Sequence, residues 1–236
     1  MAETKNYYIT TPIYYVNDVP HIGHAYTTLA CDVLARFKRL DGYNVNFLTG
    51  TDEHGQKVEK SAAAAGKDPQ TFTDEVSQNF RDMAAAMNFS NDDFIRTTEE
   101  RHTKSTQAIW SALLEAGDIY LDSYSGWYSV RDEAFYGEDE LVKGEGGQKL
   151  APTGAEVEWV EEPSYFFRLS AWGDRLLEFY DTNPDFILPE TRRNEVVSFV
   201  RGGLRDLSVS RTSFNWGVPV PGDDKHIMYV WLDALT

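Results

Sequence analysis

Two stretches of the sequence hold side chains whose type and spacing could do chemistry. The first is His21-Ile22-Gly23-His24. Imidazoles three residues apart can each donate a hydrogen bond to a phosphate, and Gly23 would let a flat ring such as adenine approach the backbone. Where a helix begins, unpaired N–H groups and the positive dipole end add to such an anion site. Taken alone, the motif also describes a pair of surface histidines in a loop. The second stretch is Thr49-Gly50-Thr51-Asp52-Glu53-His54-Gly55. Asp52 could pair with an ammonium group, or it could simply cap the helix that follows. A metal site built from Asp52, Glu53 and His54 is a poor reading, because adjacent residues do not converge easily on one ion.

These residues need elements to hold them. Residues 6–11 are rich in Tyr, Ile and Thr and predict a strand, interrupted by Pro12; a second strand is expected over 44–49. Between them Tyr26, Leu29, Ala30, Val33, Leu34, Phe37 and Leu40 recur at the i, i+3, i+4 spacing of a buried helix face, and Asp41-Gly42 supplies the stop. Strand, helix and strand make a βαβ unit of a parallel sheet. The histidines then lie at the start of the helix. Asp52 lies beyond the carboxyl end of the second strand, where open α/β sheets bind ligands. Helices are expected over 54–65, from Asp68-Pro69 along Phe72, Val76, Phe80, Met83 and Met87, and from a Thr97/Glu100 capping box to Gly117, with a short strand over 93–96. From about residue 118 the alternation stops. Short strands are expected over 119–121, 124–130, 156–160 and 165–169, then helices over 171–180 and 189–201, with loops over 144–147 and at Gly154. Residues 227–232 predict a final buried strand. The fold class is therefore α/β, a Rossmann-type parallel sheet carrying an inserted α+β domain. The boundaries fall at 1–117 for the first half of the sheet domain, 118–212 for the insertion and 213–236 for the second half. A chain ending so soon after a core strand is expected to be the front part of a longer protein.

Composition narrows the function. Of 236 residues, 22 are Lys or Arg and 38 are Asp or Glu, a formal charge of −16, which argues against generic charge-driven nucleic-acid binding. With 42% hydrophobic and 14% aromatic residues the chain is neither disordered nor collagen-like. No apolar run predicts a membrane span, and no signal peptide is read, so a cytoplasmic protein without membrane partners is expected. The single cysteine, Cys31, excludes an internal disulfide and any Cys-pair zinc site, and reads as small helix filler. His102 and His226 match no pattern and are expected at the surface.

Taken together, Thr10-Thr11-Pro12-Ile13-Tyr14-Tyr15-Val16-Asn17, His21-Ile22-Gly23-His24, Phe47 through Gly55 and Tyr229-Val230-Trp231-Leu232-Asp233-Ala234 resemble the methionyl-tRNA synthetases. The histidine motif alone marks only the wider class I synthetases. The Thr-Asp-Glu-His-Gly and Tyr-Val-Trp-Leu-Asp-Ala segments single out the methionine family. The resemblance implies a ligase that activates methionine with ATP and Mg2+ to methionyl-adenylate and passes the methionyl group to tRNA(Met). It implies that His21 and His24 stabilise charge on the phosphates, with Gly23 beside them in the ATP site. Asp52 would hold the substrate ammonium, and Ile13, Tyr15, Val230, Trp231 and Ala234 would line the side-chain pocket. Arg211 matches an arginine that favours activation.

The chain departs from the family in two ways. The first Cys-x-x-Cys pair of the family's zinc knuckle falls on Ser129-Val130-Arg131-Asp132, and the second on 144–154, which holds no Cys or His. A connective-peptide insertion with a metal-free knuckle is therefore expected, held by hydrogen bonds and packing around Trp127, Tyr128, Phe135 and Tyr136. The Lys-Met-Ser-Lys-Ser loop and the anticodon-reading helical domain are not in this sequence, so weak activation and tRNA contacts made mainly elsewhere are expected. Two alternatives remain: a non-catalytic nucleotide-binding module of the same fold, and a class I synthetase for another amino acid.

Overall fold

A computed structural model describes residues 5–132, 134–144 and 146–236. The elements run β1 (Asn6–Thr10), β2 (Tyr14–Tyr15), α1 (Ile22–Leu40), β3 (Asn44–Asp52), α2 (Gln56–Ala64), α3 (Pro69–Ala86), β4 (Asp93–Arg96) and α4 (Glu100–Glu115). They continue as β5 (Ile119–Ser129), β6 (Ala134–Tyr136), β7 (Val142–Lys143), β8 (Lys149–Leu150), β9 (Glu158–Phe167), α5 (Gly173–Thr182) and α6 (Glu190–Arg201). The last are β10 (Leu207–Ser208), β11 (Ser210–Arg211), β12 (Pro219–Val220), β13 (Asp223–Met228) and α7 (Val230–Asp233). The chain divides into two compact units, one of residues 1–107, 214–219 and 230–236, the other of 108–213 and 220–229. Residues 108–117 and 220–229 thus group with the second unit, the latter because β13 pairs antiparallel with β11.

In the first unit β3 is the central strand of a parallel sheet. It pairs with β1 and β2 along one edge and with β4 along the other. The βαβ unit is present as expected. Thr10 pairs with Leu48 and Tyr14 with Thr51, so four steps of one strand oppose three of the other. The extra residue makes a bulge at Pro12-Ile13, where proline has no N–H to give the ladder. At Gly50 the backbones of β3 and β4 are so close that a Cβ would lie 2.1 Å from the Ile95 carbonyl oxygen. A core of Tyr14, Val16, Val58, Phe80 and Phe94, edged by Tyr15, Phe72, Val76 and Trp216, fixes α2 and α3 on the sheet. Asp68 caps α3 by accepting from the Thr71 N–H at 2.9 Å, ahead of Pro69 at the first helical position.

Helix α1 corrects the sequence reading. Its buried residues are Thr28, Asp32 and Ala35, whereas Tyr26, Leu29, Val33, Leu34, Phe37 and Leu40 are exposed. The face that packs inward is held by polar contacts: Asp32 accepts from the Ser90 N–H and hydroxyl, both at 2.6 Å, and from Arg36 at 2.7 Å. The Thr97 hydroxyl, expected to cap α4, accepts the Glu53 N–H at 3.0 Å instead. The strand expected over 227–232 is a strand only to Met228; from Val230 the chain turns into the single helical turn of α7.

In the second unit the sheet order is β10-β9-β5-β6. The sequence divided β5 and β9 into shorter pieces, but they are single strands paired antiparallel from Ile119↔Phe167 to Tyr128↔Glu158. Pro163 and Gly126 interrupt the apolar pattern without breaking the ladder. The knuckle region is held by side-chain contacts. Asp132 accepts from the Tyr136 hydroxyl at 3.0 Å, from Arg131 at 3.2 Å and from the Thr153 hydroxyl, while Arg131 also donates to the Thr153 carbonyl at 2.9 Å. Tyr128 packs on Phe135 at 4.7 Å and Trp127 donates to Glu138 at 2.6 Å.

Candidate functional site

The two histidines form the N-terminus of α1. His21 is the N-cap, and its Nδ1 accepts the Gly23 N–H at 3.1 Å. The His24 Nδ1 accepts the His21 N–H, also at 3.1 Å, and the rings stack with centroids 3.9 Å apart. This is a capping box made of two imidazoles. A nitrogen that accepts from a backbone N–H carries no proton, so in each neutral ring the proton sits on Nε2. Both Nε2–H groups are therefore free of the cap and available as donors beside the helix N-terminus. A Cβ at Gly23 would lie 2.9 Å from the His21 ring, so a side chain there would crowd the cap. Tyr14 and Phe80 hold the inner side of His24, at 4.8 and 5.2 Å between ring centroids. Burial, reinforced by the neighbouring His21, lowers the His24 pKa.

Asp52 closes β3 and is buried, paired in register with Tyr15. Its neighbour Glu53 is fully buried and turned away from any ligand role. The Glu53 carboxylate accepts from Arg96 through both oxygens at 2.8 Å, from Thr51 and from Thr98 at 2.6 Å each. Trp216 donates its Nε1–H to the Glu53 carbonyl at 2.6 Å. A buried carboxylate matched by a planar guanidinium and two hydroxyls is a satisfied anchor, and it fixes the backbone that presents Asp52.

Beside Asp52 lies a cavity of about 730 Å3, bordered by the bulge residues Thr11, Pro12 and Ile13, by Arg101 and His102 of α4, and by Ala234. The structure thus brings Ile13, Asp52 and Ala234 to one cavity. Tyr15, Val230 and Trp231 are not part of its lining. Tyr15 borders the core with the Lys57 ammonium 5.9 Å above its ring, and Trp231 is half-exposed. Arg211 belongs to the second unit, where it is buried. There it donates to the Ser208 hydroxyl at 2.5 Å and the Ser210 carbonyl at 2.7 Å, and stacks 3.7 Å from the Tyr229 ring.

The expectation for His102 and His226 is overturned: both are buried. His226 Nδ1 lies 2.9 Å from the Ser210 hydroxyl, its ring meets Tyr165 edge-on at 5.0 Å, and burial lowers its pKa. His102 and His54 share the buried carboxylate of Asp233, at 2.8 and 2.6 Å. Hydrophobic pattern could not place these histidines, because their partners lie far away in sequence. Glu53 had a signal, its place in the quoted motif, but not its direction. Among the described residues no group of three or more His, Cys, Asp or Glu could hold a metal ion. The donors around Asp132 are hydroxyls and a guanidinium, which do not suit zinc. No helix among the described residues is long and apolar enough to cross a membrane.

The family model described as tRNA synthetases class I (M) matches residues 7–150 and 147–236. A methionine–tRNA ligase of Rickettsia bellii is 69% identical over 232 residues, 98% of this chain and 45% of its own length. One from Mesorhizobium japonicum is 62% identical over the same share of each. The structure of Mycobacterium tuberculosis methionyl-tRNA synthetase in complex with methionyl-adenylate superposes with a TM-score of 0.93 at 57% identity, covering 98% of this chain and 46% of that one. Its apo form gives 0.80 at 54% identity. The chain therefore spans under half the length of the curated relatives it matches.

Proposed function

Because this chain belongs to the methionyl-tRNA synthetases, a class I family, we propose that it supplies the methionine-activating face of a methionine–tRNA ligase. The reaction has two steps. A methionine carboxylate oxygen attacks the α-phosphorus of ATP, taken as its magnesium complex, and the bond to the leaving pyrophosphate breaks. A hydroxyl at the 3′ end of tRNA(Met) then attacks the activated carbonyl, and AMP leaves. The observation that carries this reading is the imidazole capping box, which leaves two Nε2–H donors uncommitted to the cap at a helix N-terminus.

In this reading His21 and His24 donate to phosphate oxygens as charge develops on them, an electrostatic contribution preorganised by the cap itself. Asp52 receives the substrate ammonium. Ile13 and Ala234 border the side-chain site, with Tyr15, Val230 and Trp231 closing it and aromatic surface suiting a polarizable thioether. Arg211 favours the activation step. Methionine is preferred over other amino acids on the strength of relatives 60–69% identical that carry that name, which also weighs against a non-catalytic module. The insertion is proposed to work without structural zinc, and the protein to act in the cytoplasm. Residues 1–236 alone are proposed to bind methionine and to activate it weakly, full activation and tRNA transfer needing chain of the relatives' length.

The test is a thermal-shift panel of the twenty amino acids with and without ATP. Methionine alone should raise the melting temperature, since it binds only the folded state. Asp52→Ala should remove about 1.5–3 kcal/mol of methionine binding, the scale of a hydrogen bond to a charged group. An unaltered methionine affinity in Asp52→Ala would defeat the assignment.

A further inference from the structure

The one-turn helix α7 has too few residues to hold itself in place, so tertiary contacts must do so. One of these is buried and centres on a carboxylate. Asp233 is 2% exposed and accepts from His54 Nδ1 at 2.6 Å and His102 Nε2 at 2.8 Å. The tautomers follow from the surroundings. The Thr106 hydroxyl donates its one proton to the His102 carbonyl at 3.0 Å, so toward His102 Nε2, 3.2 Å away, it can only accept. His102 Nε2 therefore carries a proton shared between Thr106 and Asp233, and His54 donates through Nδ1. Trp216 meets the His54 ring edge-on at 5.5 Å and restricts it further. Burial alone would raise the Asp233 carboxyl, yet His102 and His54 hold it below the usual carboxylate range.

Each of the three tied segments lies at or next to the cavity. His54 lies two residues beyond Asp52, His102 borders the cavity itself, and Asp233 precedes Ala234. A buried charge cluster is costly where apolar packing would serve, and its best-attested use is to fix register. Building on the reading of a methionine site, we propose that Asp233 is a positioning residue for methionine binding: through His54 and His102 it locks α7 and Ala234 in register with Asp52. It touches no substrate. Its effect is on methionine recognition, and the histidine pair at the start of α1 stays outside its reach.

The experiment measures methionine and ATP dissociation constants by calorimetry for this chain, Asp233→Ala and Asp233→Asn, each well below its own melting temperature. Asp233→Ala should weaken methionine about tenfold or more, since small displacements of binding groups are costly, and leave ATP unchanged. Asp233→Asn keeps the shape and one acceptor, and should weaken methionine about fivefold, partly rescuing the loss. It also decides the matter if the alanine variant does not fold. Methionine affinity within twofold of the parent in the folded variants overturns the positioning role, as does an equal loss for methionine and ATP. Failure of the parent chain itself to bind methionine overturns the underlying reading, and this proposal with it.

Discussion

At the scale of single residues, the cap and the proposed phosphate contact ask one protonation state of His24. Its Nδ1 must stay unprotonated to accept the His21 N–H, and its pKa is already lowered by burial and by His21. His226 is lowered by burial in the other unit. A histidine whose folded pKa lies below its unfolded value of about 6.5 contributes fully above that pH. The contribution is lost as pH falls from there through the folded value, because the unfolded chain binds the extra proton first. The melting temperature should therefore drop between pH 7 and pH 5.5. A variant combining His24→Asn with His226→Gln should show a flatter profile over that range in a pH series of thermal melts. An unchanged slope would mean that neither ring is held neutral by the fold. For catalysis, His21→Ala should lower the rate of ATP-dependent activation about 10²–10³-fold, the scale for one preorganised donor, with a smaller change in methionine affinity.

At the scale of elements, hydrogen bonds link the segments on either side of the loop expected to be a metal-free knuckle. Asp132 gathers Tyr136, Arg131 and Thr153, and Arg131 reaches back to the Thr153 carbonyl. The Thr153 hydroxyl leads the interactions that hold the Asp132 carboxyl below the usual range. The expected outcome is that a strong chelator leaves the melting temperature unchanged and Asp132→Ala lowers it. Stoichiometric zinc in elemental analysis, or a chelator effect equal to the substitution, would contradict the hydrogen-bonded closure. The sequence placed the strands on either side of this region but cut them short. Gly126 and Pro163 weaken strand propensity locally, and only the ten-residue antiparallel register of β5 with β9 outweighs it.

At the scale of the whole molecule, the outward face of α1 is the largest departure from expectation. Tyr26, Leu29, Val33, Leu34, Phe37 and Leu40 are between 43% and 89% exposed. Apolar stripes of this extent are typical of surfaces that associate. The relatives are more than twice as long as this chain. Residues 1–236 should therefore bind an apolar dye and sediment as concentration-dependent oligomers. Leu29→Gln combined with Val33→Lys and Phe37→Gln should suppress both with little loss of melting temperature. Persistence of the association would place the sticky surface elsewhere.

The sequence by itself determined the βαβ unit, the end of β3 as the place for Asp52, the start of α1 as the place for the histidines, and the family. These follow from local periodicity, turn residues and short motifs, whose physics acts over a few residues. It could not decide which side of an amphipathic helix is covered, since Asp32 and Thr28 face inward only because Ser90 and Tyr14 meet them there. Nor could it show that His102, Asp233 and His54, as many as 179 residues apart in the chain, share one buried charge. Burial of a polar side chain is decided by whether distant partners arrive to satisfy it, and that is settled only when the chain has folded.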